Sequence, residues 1–140
     1  MKNNSVMKSV LFVCLGNICR SPLAHGVAAD YIEKNGLDIL VDSCGTSDWH
    51  TGEAPCHNSI KVGSLHSIDI SSLEARQIVK DDFEKFDMII ALDDSNVSNI
   101  LNLGCPPHKL TKLGLYGYKN QDVPDPYFFD GFEGFVTSRI

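Results

Sequence analysis

The sequence predicts an α/β protein with a four-stranded parallel sheet and helices on both faces, a flavodoxin-like three-layer sandwich. Short apolar runs alternate along the chain with longer segments that carry apolar residues at helical spacing, which is typical of this class. The runs are continuously apolar rather than alternating with polar residues, as expected of strands buried on both faces. With 140 residues, 43% of them hydrophobic, the chain is expected to form one domain over residues 1–140. Residues 1–7 are expected to be flexible.

The first half of the chain is predicted to contain two strands and two helices. Ser9–Val13 is apolar throughout its centre and is predicted to be the first, buried strand. A helix is predicted over 21–36, where Pro22 suits the first turn and an Asn-Gly pair ends the apolar periodicity. Ile39–Cys44 is predicted to be the second strand, and residues 55–66 are predicted to form the second helix.

The second half continues the same alternation of strand and helix. Phe86–Leu92 is the predicted third strand. Asp93 is a suitable N-cap for a helix that runs to Gly104. Lys109–Leu113 is the predicted fourth strand, and a brief helix is predicted from Gly131 to the end.

Charge and hydropathy exclude several classes of partner. The net charge of −6 gives no electrostatic support to a nucleic-acid role. No apolar stretch is long enough to span a membrane, and the apolar run after Lys8 is too short for a signal peptide. We therefore expect a cytoplasmic protein with no membrane partner, and we expect it to be a monomer.

The cysteines indicate a reducing compartment. There are five of them, an odd number at scattered positions, which argues against a disulfide framework. No Cys-x2-Cys pair exists, and neither His50 nor His57 is paired with cysteines at the spacing of a zinc finger. We expect no metal and no cofactor.

The segment from Cys14 to Ser21, Cys-Leu-Gly-Asn-Ile-Cys-Arg-Ser, is the most informative part of the chain. It begins where the first strand ends and stops where the first helix begins, which is where parallel sheets bind ligands. A thiolate at Cys14 needs positive surroundings, which a helix N-terminus and Arg20 supply. We predict that Cys14 is a nucleophile that attacks phosphorus, and that the planar guanidinium of Arg20 binds two phosphate oxygens.

The rest of the segment is predicted to form a cradle for the phosphate. Gly16 permits unusual backbone angles, and Asn17 tolerates the left-handed region. The Ser21 hydroxyl is placed to donate to the Cys14 thiolate, although capping of the helix would explain it equally well. The predicted phosphate-binding residues are Leu15, Gly16, Asn17, Ile18, Cys19, Arg20 and Ser21.

Several motifs in the same order resemble the low-molecular-weight protein tyrosine phosphatases. They are VLFVCLGNICRSP near the N-terminus, SCGTSDWHTGE in the middle, ARQIVKDDFEKFDMIIALDDSN after it and DPYF near the C-terminus. A Cys-x5-Arg motif alone is weakly specific, but its place after the first strand and the distant Asp-Pro-Tyr make the match specific. The resemblance implies a phosphatase that acts on phosphotyrosine proteins or small aryl phosphates and releases inorganic phosphate.

The resemblance also implies roles for residues outside the cradle. Asp125 would be the general acid that protonates the leaving oxygen and then the base that activates water. Trp49 and Tyr127 would be the aromatic walls of the substrate pocket. Cys19 would form a reversible disulfide with Cys14 under oxidation. Ser43 would support the loop through a hydrogen bond to its asparagine.

Three departures from the family pattern are visible. Leu73 stands where many relatives have a histidine that buttresses the loop, so we expect weaker support of Asn17. Phe128 replaces the second of two tyrosines, which leaves Tyr127 as the one available for regulatory phosphorylation there. The last helix of the family usually extends further than Ile140, so this helix is expected to be short or truncated.

Two alternatives compete with a phosphatase. A thiol-dependent arsenate reductase uses the same fold and loop, but it needs a close downstream pair of cysteines, and Cys105 is solitary. A catalytically silent phosphotyrosine-binding module would be expected to lack Cys14 or Asp125, and both are present. The phosphatase is therefore the favoured hypothesis.

Overall fold

Four parallel strands form one sheet in the order β2-β1-β3-β4 in the computed structural model, which describes residues 8–113. The strands are β1 Ser9–Cys14, β2 Leu40–Gly45, β3 Met88–Ala91 and β4 Leu110–Lys112. The helices are α1 Arg20–Lys34, α2 His57–Leu65, α3 Asp82–Lys85 and α4 Asp94–Asn102. The predicted four-stranded parallel sheet with helices is confirmed.

The sheet divides the core into two layers, and the inner strand β1 contributes side chains to both. Val10 and Phe12 point to one face, where they join a cluster with residues of α1. Leu11 and Val13 point to the other face, where they pack in a cluster with Phe83 and residues of α4. All six residues of β1 are buried, which explains why its sequence is apolar without alternation.

The order of the strands positions the loop that follows β1. The chain leaves β1 through α1 to reach β2 on one side, and later returns to β3 on the other side. The carboxyl end of β1 therefore lies at the change of direction in the sheet, the place where α/β sheets bind ligands.

The element boundaries differ from the prediction by one or two residues in most cases. Two short elements were not predicted, the helix α3 and a 3-10 turn over Pro107–Lys109. Each is only about one helical turn long, too short for a repeating apolar pattern, so hydrophobic patterning gives no signal for them. The predicted helix from Gly131 and residues 1–7 lie outside the described residues.

Candidate active site

The thiol of Cys14 lies at the centre of the loop that follows β1. Its side chain is buried, and its Sγ is 3.0 Å from the Ser21 hydroxyl and 3.3 Å from the backbone nitrogen of Asn17. A thiolate can only accept hydrogen bonds, so in the ionised state Ser21 donates to it, as does the Asn17 N–H. The contact agrees with the predicted place of Ser21 beside Cys14. Ser21 lies within the first turn of α1, and the N-cap position belongs to Cys19.

Asn17 holds the loop in its curved conformation. Its φ is +57°, in the left-handed region predicted for this asparagine. The side-chain amide donates to Ser21 Oγ at 2.8 Å, and its carbonyl oxygen accepts from the Arg76 N–H at 3.0 Å. Both ends of the buried amide are therefore satisfied, although Leu73 stands at the position of the expected histidine. Leu73 instead packs against the apolar cluster beneath α1.

The two glycines near the loop serve close packing rather than unusual backbone angles. The φ angle of Gly16 is not positive, so the expectation that it adopts unusual backbone angles is wrong. A Cβ on Gly16 would lie 3.0 Å from Cδ2 of His50, so its small size admits the imidazole ring. A Cβ on Gly45 would lie 2.7 Å from the carbonyl oxygen of Leu15 and 3.0 Å from the nitrogen of Asn17. The end of β2 therefore contacts the loop backbone directly.

Arg20 begins α1 and its guanidinium is held by a carboxylate. The Nη2 of Arg20 lies 2.6 Å from Oδ2 of Asp93, and the two side chains are 22% and 18% exposed. The other oxygen of Asp93 accepts the Asn96 N–H at 2.7 Å and so caps α4, as predicted. One carboxylate thus joins the start of α4 to the guanidinium of Arg20.

An open cavity of about 260 Å³ lies over the loop. Its walls combine the thiol, the guanidinium and apolar side chains, and Trp49 and Leu15 at its rim are 70% and 44% exposed. The imidazole of His50 also lines it, with Nδ1 at 3.1 Å from a carboxylate oxygen of Glu53. The lining residues are Cys14, Leu15, Gly16, Ile18, Cys19, Arg20, Trp49 and His50.

Ser43 does not make the contact that the resemblance implied. Within residues 8–113, its hydroxyl shares a hydrogen bond of 2.9 Å with Nδ1 of His25, and Asn17 is held by Ser21 and Arg76. The predicted bond from Ser43 to Asn17 is therefore wrong. Burial lowers the pKa of His25, Asp42 opposes that effect, and the positive charge of Arg76 adds to it.

The cysteines differ in their surroundings. Cys19 lines the cavity with Cys14, and its carbonyl accepts from the Ser59 hydroxyl at 2.8 Å. Burial raises the pKa of Cys44 well above its usual value and also raises the pKa of Cys105. These last two thiols are therefore kept protonated and unreactive near neutral pH.

Several predicted features lie outside the described residues. They are the proposed acid Asp125, the second aromatic wall Tyr127 and the substitution Phe128. Within residues 8–113, no three His, Cys, Asp or Glu side chains are grouped as a metal site would require. No helix in that part of the chain is long and apolar enough to cross a membrane.

Sequence reasoning missed three residues that shape this site. Asp93 was predicted only as a helix cap, yet it follows β3, the neighbour of β1, so its place at the same sheet edge was an available signal. His50 was considered only as a zinc ligand, and that role was excluded. Arg76 lies far from the loop in sequence, and although it stands in the quoted ARQ motif, no role was predicted for it.

Comparison with known proteins agrees with this geometry. The family model for low molecular weight phosphotyrosine protein phosphatase matches residues 9–137. The low molecular weight phosphotyrosine protein phosphatase of Schizosaccharomyces pombe is 42% identical over 94% of this chain and 87% of its own length. Among solved structures, YfkJ from Bacillus subtilis superposes with a TM-score of 0.87 at 34% identity, with 96% of each chain covered. The drosophila arginine phosphatase DARP superposes with a TM-score of 0.82 at 28% identity, over 92% of this chain and 96% of its own. The chain therefore belongs to the low molecular weight phosphotyrosine protein phosphatase family.

Proposed function

We propose that this phosphatase hydrolyses phosphotyrosine and small aryl phosphate esters in two displacements on Cys14. The observation that carries the proposal is the environment of the Cys14 sulfur. It lies 3.0 Å from the Ser21 hydroxyl, it accepts the Asn17 N–H, and it lines a cavity with the guanidinium of Arg20. A sulfur in such surroundings is stabilised as a thiolate and is accessible to a phosphate group.

In the first displacement, the Cys14 thiolate forms a bond to phosphorus as the ester P–O bond breaks. The leaving oxygen takes a proton from Asp125, whose role rests on the family resemblance. In the second, Asp125 removes a proton from water, the water oxygen bonds to phosphorus, and the P–S bond breaks to release inorganic phosphate and the thiolate. Throughout, Arg20 stabilises the charge on the equatorial oxygens.

Asp93 orients Arg20 for this task. A guanidinium is planar and carries five N–H donors, so a carboxylate bound to Nη2 fixes the plane in which the remaining donors lie. The phosphate is expected to meet a cation whose direction is already set, which lowers the cost of reorganisation in the transition state.

The cavity walls favour an aromatic ester. Ile18, Leu15 and Trp49 present apolar surface around the thiol, which suits a phenyl ring. A phosphorylated guanidine, the substrate that the name of DARP indicates, needs hydrogen-bond acceptors for its N–H groups. We therefore expect phosphotyrosine peptides to be hydrolysed with a higher kcat/KM than phosphoarginine peptides.

The remaining proposals concern the setting of the enzyme. We propose that it acts as a monomer, without nucleic acid or a cofactor, in the cytoplasm. Support for a reducing compartment comes from the cysteines, since all five are free thiols and the reaction requires the Cys14 thiol. Sedimentation of the full chain tests the monomeric state, and fractionation of cells that express it tests the location.

The central experiment compares Cys14→Ser with Cys105→Ser. Cys105 is buried and its sulfur donates to the Pro106 carbonyl, so serine at that position keeps a donor. We expect Cys14→Ser to abolish hydrolysis of para-nitrophenyl phosphate and phosphotyrosine peptides, and Cys105→Ser to retain it. Rapid quenching with labelled substrate should trap phosphate on the wild-type protein and none on Cys14→Ser. Normal turnover by Cys14→Ser contradicts the mechanism.

The same preparations decide between the alternatives. Thiol-dependent release of arsenite with no phosphatase turnover would favour an arsenate reductase. Stable binding of a phosphotyrosine peptide by the wild-type protein, with no release of phosphate, would favour a binding module.

A further inference from the structure

The backbone of Arg76 joins the phosphate loop to the sheet. Its N–H donates to the side-chain oxygen of Asn17 at 3.0 Å. Its carbonyl accepts the Gly45 N–H at 2.8 Å, and the next residue, Gln77, forms a parallel bridge with Gly45. A short stretch around Arg76 therefore lies beside the end of β2 and holds the left-handed residue of the loop.

The side chain of Arg76 fixes this stretch through two carboxylates. Its Nε and Nη2 donate to Oδ2 of Asp42 at 3.2 and 3.0 Å. Its Nη1 and Nη2 donate to the two oxygens of Asp82 at 3.1 and 3.0 Å. Asp82 begins α3, its side chain is 6% exposed, and it also accepts the Val79 N–H at 2.8 Å. The guanidinium thus connects β2 to α3 across the base of the loop.

The geometry requires an arginine at this position. Only a planar fork can donate in parallel to both oxygens of Asp82 while a third nitrogen reaches Asp42. Burial alone would lower the pKa of Arg76, but its hydrogen bonds to Asp82 and the nearby carboxylate charges raise it, so the cation is permanent. A lysine would keep the charge and lose the fork.

We propose that Arg76 is a positioning residue for catalysis, which acts through Asn17 to aim the Asn17 N–H at the Cys14 sulfur. The two carboxylates bind the guanidinium and so fix the position of the Arg76 backbone. The Arg76 N–H binds the Asn17 side chain, which keeps the Asn17 N–H turned toward the Cys14 thiol. This inference rests on the proposed role of Cys14 as the nucleophile.

Arg76→Lys is the direct test, because it keeps the positive charge between the carboxylates. The matched control is Lys80→Ala, an exposed position in the same segment. We expect Arg76→Lys to remain folded and to lose about tenfold to a hundredfold in kcat on para-nitrophenyl phosphate, the scale of a small misplacement of reacting groups. The control should match the wild type.

A readout specific to the thiol separates positioning from a general loss of stability. The rate of Cys14 alkylation by iodoacetate, followed against pH, reports its ionisation. Arg76→Lys should move this profile to higher pH, because the Asn17 N–H no longer points steadily at the sulfur. Lys80→Ala should leave the profile in place. An unchanged profile together with unchanged kcat would overturn the inference.

Asn17→Gly gives the second test, since glycine accepts the left-handed conformation and removes the side chain that Arg76 holds. If Arg76 acts through Asn17, Arg76→Lys should have little further effect on kcat in the Asn17→Gly protein. Equal losses of kcat in both backgrounds would show that the two residues act independently and would also overturn the inference.

The outcomes distinguish this inference from the proposed function. If Cys14→Ser remains active, the proposed function fails whatever the Arg76 variants do. If Cys14→Ser is inactive while Arg76→Lys equals the wild type in kcat and alkylation, the proposed function stands and the role of Arg76 is wrong.

Discussion

Asp93 makes two contacts that a pair of substitutions can separate. One oxygen accepts from Arg20 at 2.6 Å and the other accepts from the Asn96 N–H at 2.7 Å. Asparagine is as good an N-cap as aspartate, so Asp93→Asn keeps the cap and removes the charge next to Arg20. Asp93→Ala removes both.

The size of each effect follows from these contacts. A buried hydrogen bond to a charged group contributes about 1.5–3 kcal/mol to stability, and the partial exposure of this pair lowers its contribution to about 1 kcal/mol or less. If misorientation of Arg20 raises the activation free energy by about 1.4 kcal/mol, Asp93→Asn lowers kcat roughly tenfold. The free energy of unfolding should fall by less than about 1 kcal/mol in Asp93→Asn, since the helix keeps its cap. It should fall by about 1 kcal/mol more in Asp93→Ala, which loses the cap as well.

Urea unfolding and steady-state kinetics on para-nitrophenyl phosphate measure the two quantities on the same samples. The expected pattern is a similar kcat in both variants and a free energy of unfolding that is lower in Asp93→Ala than in Asp93→Asn. A wild-type kcat in Asp93→Asn would refute the orienting role of Asp93. Equal losses of stability in the two variants would refute its role as a cap.

Three further predictions follow from the surroundings of the loop. Gly45→Ala should lower stability by about 1–3 kcal/mol and should also lower kcat, because the new Cβ meets loop backbone at 2.7 Å. The control is Gly36→Ala, at φ +62° and with open space around it, which should lower stability alone. A Gly45→Ala protein with wild-type activity would contradict the close contact. Because burial lowers the pKa of His25 in the folded state, its contribution is fully present above its unfolded pKa of about 6.5 and is lost as pH falls toward the folded value. The urea midpoint should therefore drop less between about pH 7 and pH 5 in His25→Gln than in the wild type, and equal drops would count against this. Hydrogen peroxide should convert the Cys14 thiol to a sulfenic acid, which the Cys19 thiol converts to a disulfide with release of water. In Cys19→Ser this thiol is missing, so a second equivalent of peroxide should oxidise the sulfenic acid to sulfinic acid. After excess peroxide, dithiothreitol should therefore restore activity in the wild type but not in Cys19→Ser, and mass spectra of the wild type with only sulfinic or sulfonic Cys14 would reject the pairing.

The local parts of the site were predictable from the sequence. The buried strand Ser9–Cys14, the proline at the start of α1 and the Cys-x5-Arg spacing are all contained in one continuous segment. Backbone preference also identified Asn17 as the residue that turns left-handed. Such features depend on neighbours in sequence, so patterning and conformational preference suffice to find them.

The supports of the loop were not predictable, because they come from residues that are distant in sequence. Asn17 and Arg76 are separated by 59 positions, and the bond between them depends on how α3 and β2 pack. The resemblance to the family assigned this support to Ser43, whose hydroxyl binds His25 instead, and it assigned no role to Arg76. A family pattern predicts which residue needs support, but the side chains that supply it depend on the packing of the individual chain.

Because the supports of the loop come from residues distant in sequence, Arg76 and Asp93 are the informative positions for experiment. Each holds a residue of the loop from a different strand end, Arg76 through β2 and Asp93 through β3. The loop lies between these two strands because it follows β1, which pairs with β2 on one side and β3 on the other. Its thiol and guanidinium are therefore fixed from opposite sides by independent ion pairs. Since the two supports share no side chain, the losses of kcat in Arg76→Lys and Asp93→Asn should add in the double variant. Strong coupling between them would mean that the loop moves as one body rather than being held at two points.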